Sequence, residues 1–217
     1  MSAAQGAVKR VPNRWGEGQR LRQEILDAAG RLLEETGRPE DISLRAIARE
    51  AGVTAPAIYK HFKDKAELMW TLLDGVYESM AETLRAARRS APAEDAWAGL
   101  RAVVDAYCRF ALDEPRRYEL LFRIGPTLSS SPEPARHPMG RVLDAWCEAT
   151  VSYLDEARGM DATSDPDGRP DARQAAKLLW SGLHGQFGLW WNVSDVSEAS
   201  ELDELRDSLM SSLFGRK

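Results

Sequence analysis

Hydrogen-bond donors of several chemical kinds are concentrated in the segment SLRAIAREAGVTAPAIYKHFKDK, residues 43–65. Hydroxyl, ammonium and guanidinium groups bind phosphate oxygens, and the charged donors also reach the acceptors of guanine. The small side chains of Thr54, Ala55 and Pro56 lie between them and can touch a thymine methyl group. These residue types predict contact with nucleic acid.

The donors need a scaffold, and the same segment predicts one. Ser43 is a good N-cap for a helix whose apolar residues recur on one face. These residues are Leu44, Ile47, Ala48 and Ala51. Gly52 follows where a helix usually ends in a left-handed residue. The pattern indicates a short helix and a tight turn.

A second short helix follows the turn. Thr54 is placed to cap it, and Pro56 lies in its first turn, where a missing N–H costs little. Asp64 and Glu67 form a capping-box-like start for a further helix. Residues 43–62 therefore predict a helix-turn-helix, whose second helix enters the DNA major groove.

Each donor has an expected role in that motif. Arg45 and Lys60 are the candidates for contacts to guanine, and Thr54 could contact a base or a phosphate. We expect the phosphate contacts to come from Ser43, Tyr59, His61 and Lys65. Alternatively, Tyr59 joins Phe62 in a small core; Phe62 and Ile58 are assigned to the core in either case.

The amino-acid sequence of the segment also resembles that of a known family. AGVTAPAIYKHFKDKAEL is similar to the DNA-binding signature of the TetR family, through Ala51-Gly52-Val53, Tyr59, His61-Phe62 and Lys65. The preceding GQRLRQEILDAAGRLLEETG matches as well, so that the resemblance covers residues 19–79. It implies a dimeric, ligand-released repressor that holds phosphates with Tyr59, His61 and Lys65. It also implies a dimer formed by the last two long helices of each subunit.

Charge is distributed unevenly along the 217 residues. Residues 1–65 hold 12 Lys/Arg and 9 Asp/Glu, whereas the remainder holds 17 and 25. A basic head on an acidic body fits a protein that presents one end to phosphates. Cys108 and Cys147 lie far apart, no signal peptide is recognisable, and the uncharged, largely apolar stretch 178–191 is too short to span a bilayer. We expect a cytoplasmic protein with free thiols and no membrane segment.

Apolar periodicity predicts an all-α fold of about nine helices, with a head of three and a body of the rest. Three regions are expected: a flexible basic arm (1–18), a helix-turn-helix DNA-binding domain (19–79) and a helical ligand-binding and dimerisation domain (80–217). Loops are predicted at 127–138 and 159–171. Basic residues of the arm and first helix could follow a phosphate backbone or remain solvated. They are Lys9, Arg10, Arg14, Arg20 and Arg22.

The body is rich in aromatic residues, with five of the seven tryptophans beyond residue 90. Most such side chains form core, but aromatics with a few polar groups also line small-molecule sites. LLWSGLHGQFGLWW resembles the tryptophan-histidine-glycine type of TetR C-terminal domain through Trp180, His184 and Gly185. The candidate contacts to an apolar or aromatic effector are Tyr107, Phe110, Trp146, Trp180 and His184. The spacing of His and Cys does not favour a metal site, and no cofactor is expected.

Gly182, Gly185 and Gly188 leave part of one helix without side chains, which favours close approach of another helix or of a ligand. A helix that is apolar nearly all round must be covered on both sides, as in a homodimer. Motifs of common enzyme classes are absent from the sequence. We therefore expect no enzyme but a regulator, a repressor released from a palindromic operator by a small molecule. The alternative is an architectural DNA-binding protein without a ligand.

Overall fold

The computed structural model describes residues 17–124, 137–160, 171–192 and 199–215, and every regular element within them is helical. This confirms the predicted all-α fold. The nine α-helices in these ranges are α1 (Glu17–Thr36), α2 (Leu44–Glu50), α3 (Ala55–Ile58), α4 (Lys65–Ser90), α5 (Ala96–Asp113), α6 (Pro115–Glu119), α7 (Met139–Met160), α8 (Ala172–Asn192) and α9 (Ala199–Phe214). Pro39–Asp41 form a 3₁₀ turn and Leu120–Ile124 a π-helical turn.

The chain divides into two compact units, Met1–Leu72 and Leu73–Lys217, which we call the head and the body. α4 is continuous through the boundary. Among the described residues, no helix combines the length and apolar character that crossing a membrane requires.

The head packs α1 against the two helices that follow it. Its core residues are shielded almost completely because their apolar spacing follows the helical period. They are Ile25, Ala28, Ala29, Leu33, Ile42, Ile47, Ala48, Ile58, Phe62, Leu68 and Met69. α1 ends at Gly37, whose φ of +66° is a conformation that glycine adopts without strain.

The turn between α2 and α3 forms as its residues predict. The Ala46 N–H donates to Ser43 Oγ at 3.1 Å, so Ser43 caps α2. Gly52 has φ +67°, and the Val53 N–H then donates back to the Ala48 carbonyl at 2.8 Å. The predicted cap by Thr54 is wrong in detail, since its side chain accepts no hydrogen bond from α3.

α4 begins at a capping box. The Glu67 N–H donates to Asp64 Oδ1 at 2.8 Å, and the Glu67 carboxylate in turn accepts from the Lys63 N–H at 2.5 Å. The Glu67 amide, one of those that a helix start leaves without a partner, is thereby satisfied. The helix then runs for 26 residues.

The body encloses its core between α4, α5, α7 and α8, with α9 on the outside of α8. Tyr77, Tyr107, Tyr118, Trp146 and Phe187 are its largest fully buried side chains. Arg206 connects α9 to α5: its guanidinium lies 3.1 Å from Asp105 and also pairs with Asp203 and Asp207.

Three differences from the expectations concern segment boundaries. α1 begins at Glu17, inside the predicted arm, and α7 continues to Met160, inside the second predicted loop. Most of the predicted arm and loops (1–16, 127–136 and 161–170) lies outside the described residues. The π-helical turn at Leu120–Ile124 was not predicted, because Leu121 and Phe122 follow Tyr118 at spacings of three and four residues that also suit an α-helix.

Candidate DNA-binding surface and effector site

The residues predicted to contact DNA lie at the surface of the head. Ser43, Arg45, Thr54, Pro56 and Lys60 are exposed, whereas Ala55, His61 and Lys65 are half-buried. Tyr59 is 58% exposed, which excludes the alternative in which it belongs to the core. Ile58 and Phe62, on either side of it, are buried as predicted.

The hydrogen bonds of α3 continue past its last α-helical residue. The Phe62 N–H donates to the Ile58 carbonyl at 3.0 Å, and the His61 N–H donates to the same carbonyl at 2.9 Å. The segment from Ala55 to Phe62 is therefore held as one rigid piece that ends in a tight turn. Its buried side anchors it while Tyr59 and Lys60 project outward.

Two of the predicted phosphate donors also make contacts within the head. Ser43 uses its oxygen as the cap acceptor of α2, which leaves its hydroxyl proton to donate. The Lys65 ammonium donates to the Glu40 carbonyl at 3.4 Å, which uses one of its three protons. Both groups retain donors for a phosphate.

The arginines of α1 are engaged within the head. The Arg22 guanidinium lies 4.8 Å from the centre of the Phe62 ring, a cation–π contact that packs α1 against the segment after α3. Arg20 forms an ion pair with Glu24 at 3.1 Å. Of the basic residues proposed to follow the DNA backbone, Lys9, Arg10 and Arg14 lie outside the described residues.

In the body, four of the five predicted effector contacts come together. The Tyr107 and Trp146 rings meet edge-on at 5.4 Å between centroids, and Trp180 and His184 both contact Phe122, at 6.0 and 4.5 Å. Three residues that were not predicted complete this group, which we call the aromatic cluster. Its members are Tyr107, Tyr118, Phe122, Trp146, Trp180, His184 and Phe187.

The fifth predicted contact, Phe110, does not join the cluster. It makes no ring contact with another described residue and instead lines an open cavity of about 280 Å³ with Ser79 and Thr83 of α4 and Arg117 of α6. The reason is geometric: three residues after Tyr107, the helix has rotated Phe110 by about 60° away from it.

Three side chains of the aromatic cluster form a chain of hydrogen bonds. The hydroxyls of Tyr107 and Tyr118 are 2.7 Å apart, and Tyr118 contacts His184 Nδ1 directly. Burial lowers the pKa of His184 and raises the pKa of both phenols. For Tyr107 the neighbouring Tyr118 raises the pKa further. His184 is therefore neutral and both tyrosines stay protonated near neutral pH.

Two indole N–H groups of the aromatic cluster are buried without a hydrogen-bond partner. They belong to Trp146, which is fully buried, and to Trp180. The Trp180 N–H lies close enough to the Tyr107 oxygen to lower the pKa of that phenol slightly, but outside the geometry of a hydrogen bond. Unpartnered buried donors are uncommon in folded proteins.

The π-helical turn connects the aromatic cluster to α4. Phe122 of this turn belongs to the cluster, and the main-chain carbonyl of the preceding Leu121 accepts a hydrogen bond from Tyr77 on α4. Asp74 and Glu78, which are one turn apart on α4, form ion pairs with Arg141 of α7 at 2.5 and 3.1 Å. The part of α4 that belongs to the body is thus attached to both walls of the cluster.

One face of α8 remains uncovered. Leu178 and Leu189 are 48% and 58% exposed, and a Cβ atom at Gly185 or Gly188 would meet nothing within 4 Å. Gly182 differs, because a Cβ atom there would lie 2.8 Å from Leu209 of α9. The three glycines do not share one face because a three-residue step falls short of a full helical turn.

Within the described ranges, no group of three or more His, Cys, Asp or Glu side chains is arranged to hold a metal ion. Cys108 and Cys147 are free thiols. Burial raises the pKa of Cys108 to about 12, so this thiol is unreactive near neutral pH.

A helix-turn-helix with outward donors, followed by a helical body with an aromatic cluster, defines a helical transcriptional regulator that binds DNA through its N-terminal head. Residues 25–70 match the profile of the bacterial regulatory proteins of the tetR family, and residues 100–213 match the tetracyclin repressor-like C-terminal domain. The second match covers more than half of the chain, and the protein belongs to the TetR family.

Individual relatives agree with this assignment. The chain is 29% identical over 199 residues to the HTH-type transcriptional regulator Rv1816 of Mycobacterium tuberculosis, covering 83% of this chain and 84% of that protein. It is 27% identical over 181 residues to the HTH-type transcriptional regulator TtgR of Pseudomonas putida, covering 82% and 84%. The chain is therefore a DNA-binding transcriptional regulator.

Solved structures show the same fold. A protein of unknown function from Rhodococcus sp. RHA1 aligns with a TM-score of 0.68 at 26% identity, covering 89% of this chain and 95% of that one. SmeT, the repressor of the Stenotrophomonas maltophilia multidrug efflux pump SmeDEF, aligns with a TM-score of 0.63 at 18% identity, covering 90% and 91%.

Proposed function

We propose that this protein is a homodimeric repressor that binds an inverted-repeat operator and leaves it when the body binds a small apolar or aromatic molecule. The observation that carries the DNA-binding part is the rigid segment from Ala55 to Phe62, whose buried side anchors it while Tyr59 and Lys60 face outward. SmeT, which shares the fold, is a repressor and supports repression as the default action.

At the operator, each head inserts α3 into the major groove. Arg45 and Lys60 read base edges, Thr54, Ala55 and Pro56 lie against the bases, and Ser43, Tyr59, His61 and Lys65 hold the phosphates. The two half-sites are separated by about one helical turn, ~34–36 Å.

The dimer pairs α8 and α9 of one subunit with those of the other. The support for this arrangement is the uncovered face of α8, where large apolar side chains flank glycines that meet nothing in their own chain. Exposed Leu178 and Leu189 would be covered, and Gly185 and Gly188 would allow the partner's helix to approach closely.

The aromatic cluster is the proposed effector site. Binding there shifts the π-helical turn, and the shift reaches α4 through the hydrogen bond from Tyr77 to the Leu121 carbonyl. Because α4 also belongs to the head, its displacement changes how well two heads match two half-sites at once. By linkage, operator DNA lowers the affinity for the effector by the same factor by which the effector lowers the affinity for operator DNA. That factor is about 5–150-fold for a coupling of about 1–3 kcal/mol.

A selection of operator sequences from random DNA, followed by footprinting, tests the DNA-binding part. We expect a short palindrome protected on both half-sites, and protection of a single unpaired half-site would contradict the dimeric mode. Thermal-shift screening of metabolites, repeated with operator DNA present, tests release. A ligand that binds the body but leaves operator affinity unchanged would contradict the sensor mechanism.

The competing proposal is an architectural protein that binds DNA without sequence preference and without a ligand. The basic head alone suits that role as well. Comparing the selected palindrome with random DNA at one salt concentration separates the two, since only a regulator prefers the palindrome strongly. In either role the protein acts on DNA in the cytoplasm and needs neither catalysis nor a cofactor.

A further inference from the structure

We infer that the aromatic cluster selects an uncharged aromatic molecule carrying a carbonyl oxygen, such as an aryl ketone or a quinone. The inference rests on the proposed sensor role and specifies the chemistry that the sensor recognises. It is carried by two buried indole N–H donors of the cluster that have no hydrogen-bond partner among the described residues.

The first donor is the indole N–H of Trp146. Its side chain is fully buried, its ring packs edge-on against Tyr107 at 5.4 Å, and its nitrogen has no hydrogen-bond partner. An indole nitrogen only donates, so an acceptor must come to it. A buried donor without an acceptor destabilises the chain, and a ligand oxygen would remove that cost on binding.

The second donor is the indole N–H of Trp180, which is buried and unpartnered although its ring is partly exposed. It interacts with the Tyr107 oxygen closely enough to lower the pKa of that phenol, but the contact does not meet the geometry of a hydrogen bond. The Trp146 ring packs against the ring of the same tyrosine, so both indoles belong to the surroundings of Tyr107.

The third donor comes from the chain that links Tyr107, Tyr118 and His184. These three groups carry three protons when the imidazole is neutral. The contacts of Tyr118 with Tyr107 and with His184 use two of them, and the Tyr107 hydroxyl also lies 3.4 Å from His184 Nδ1. One proton is left to donate outward, from His184 Nε2 or from Tyr107 according to the tautomer. Each tautomer also leaves one acceptor, the Tyr107 oxygen or His184 Nε2, so this chain can serve a ligand oxygen, whereas the two indoles require one.

The seven side chains of the aromatic cluster carry no formal charge. Burial lowers the pKa of His184 and keeps it neutral, and burial raises the pKa of Tyr107 and Tyr118 and keeps them protonated. A carboxylate placed among them would lose its hydration without gaining an opposite charge. A carbonyl oxygen accepts the same hydrogen bonds without that penalty.

Access to these donors is provided on one side. Phe122, Trp180 and His184 are adjacent to one another and partly exposed, whereas Tyr107 and Trp146 beneath them are completely buried. An aromatic ligand that separates the three outer rings would exchange ring contacts for ring contacts and bring its oxygen to the Trp180 N–H and towards the buried Trp146.

The test uses three matched probes on the full chain without DNA: 2-acetylnaphthalene, 2-ethylnaphthalene and 2-naphthoate. They share a ring and differ in carrying a carbonyl, no acceptor or a carboxylate. We expect the ketone to bind at least tenfold more tightly than the other two, with downfield shifts of the indole ¹H–¹⁵N resonances of Trp146 or Trp180. Equal binding of ketone and hydrocarbon without indole shifts, tighter binding of naphthoate, or no binding of any probe would overturn the inference.

A matched variant isolates the indole proton. Trp180→Phe keeps an aromatic ring and removes the N–H, so ketone affinity should fall towards that of the hydrocarbon while hydrocarbon affinity stays the same. Trp97→Phe is the control, because Trp97 packs against Tyr153 and Phe214 outside the cluster. Equal losses for both probes in Trp180→Phe would assign Trp180 a packing role only and would count against the inference.

The sensor role is measured separately, by titrating operator DNA with and without the ketone. Tight ketone binding with shifted indoles but unchanged operator affinity would leave the ligand class intact and refute the proposed function. If the hydrocarbon released the operator as potently as the ketone, the proposed function would stand and the ligand class would be refuted.

Discussion

The hydroxyl of Tyr77 on α4 donates a 2.5 Å hydrogen bond to the main-chain carbonyl of Leu121 in the π-helical turn. Tyr77 is fully buried, and burial raises the pKa of its phenol, so the donor proton is retained at any physiological pH. Leu121 immediately precedes Phe122 of the aromatic cluster. A π-helical turn is rare and is found mostly at functional positions, and here it joins the cluster to α4.

Removing this hydrogen bond should uncouple the cluster from α4. We expect Tyr77→Phe to lower the free energy of unfolding by about 1 kcal/mol and to reduce the effector-dependent change in operator affinity. Denaturant unfolding and operator titrations with and without a bound ligand measure the two effects. Tyr153→Phe, which removes a longer bond (3.4 Å) to the Phe214 carbonyl, should leave the coupling intact. An unchanged coupling in Tyr77→Phe would show that the signal takes another route.

The phosphate contacts should contribute affinity without sequence preference. Tyr59→Phe removes only a hydroxyl from an exposed ring, and Lys65→Ala removes a charge. Each should therefore lower the affinity for operator DNA and for random DNA by a similar factor. Fluorescence anisotropy at a fixed salt concentration measures both. Because Lys65 also donates to the Glu40 carbonyl, its variant needs a parallel melting curve. A loss confined to the operator would assign these residues to base reading instead.

Arg45 should behave differently, as a reader of one base. We expect Arg45→Ala to relax the preference at a single operator position and to cost about 1–3 kcal/mol on the preferred base. Affinities for the operator and for its single-base variants provide the measurement. Arg89→Ala, which removes an exposed arginine of the body, is the control for net charge. Equal weakening on operator and random DNA would place Arg45 on the phosphates.

The uncovered face of α8 allows dimerisation to be tested with a substitution that leaves the folding of the subunit unchanged. A side chain at Gly185 meets nothing within its own chain, so Gly185→Leu should fold normally but obstruct a partner helix. Sedimentation over a range of concentrations should show a weaker dimer. Gly75→Leu, at another open glycine within a helix, should dimerise as the wild type does. A wild-type chain that is monomeric at micromolar concentration would refute the interface.

Acidification should destabilise the body through His184. Burial lowers its pKa below the ordinary value of 6.5 in the folded chain, so below pH 6.5 the unfolded chain takes up the proton first. The contribution of the neutral His184 to the free energy of unfolding is therefore complete above pH 6.5 and is lost as the pH falls towards the folded-state pKa. Denaturant midpoints between pH 7.5 and 5 should decline less in His184→Asn than in the wild type.

His137 supplies the control for that experiment, because burial lowers its pKa as well. His137→Asn should remove its own share of the pH dependence and leave the share of His184. Identical pH profiles for wild type and His184→Asn would contradict a buried neutral imidazole in the aromatic cluster.

The elements of the head were predictable because their signals are local. Ser43 and Gly52 each act through a hydrogen bond or a backbone angle within a few residues of themselves, and the structure contains both. Thr54 resembled a cap equally well, yet its side chain makes no such bond, since residue type does not determine which rotamer the surroundings favour. How the exposed donors are used on DNA remains a prediction.

The aromatic cluster was only partly predictable because its contacts join residues distant in the sequence. Tyr107, Trp146, Trp180 and His184 were expected from aromatic residues on long helices. Tyr118 and Phe122 were missed, although their spacing of four residues could have suggested a shared face. Phe110 lies outside the cluster because helical phase, and not proximity in sequence, decides which side of α5 a ring occupies.

The boundary between the two units lies between Leu72 and Leu73, in the middle of one unbroken helix. Head and body therefore have no linker in which insertions or deletions could accumulate harmlessly. A single residue added to this stretch of α4 would turn everything beyond it by about 100° and displace it by about 1.5 Å. We therefore expect α4 to tolerate insertions and deletions less well than its exposed positions tolerate substitutions.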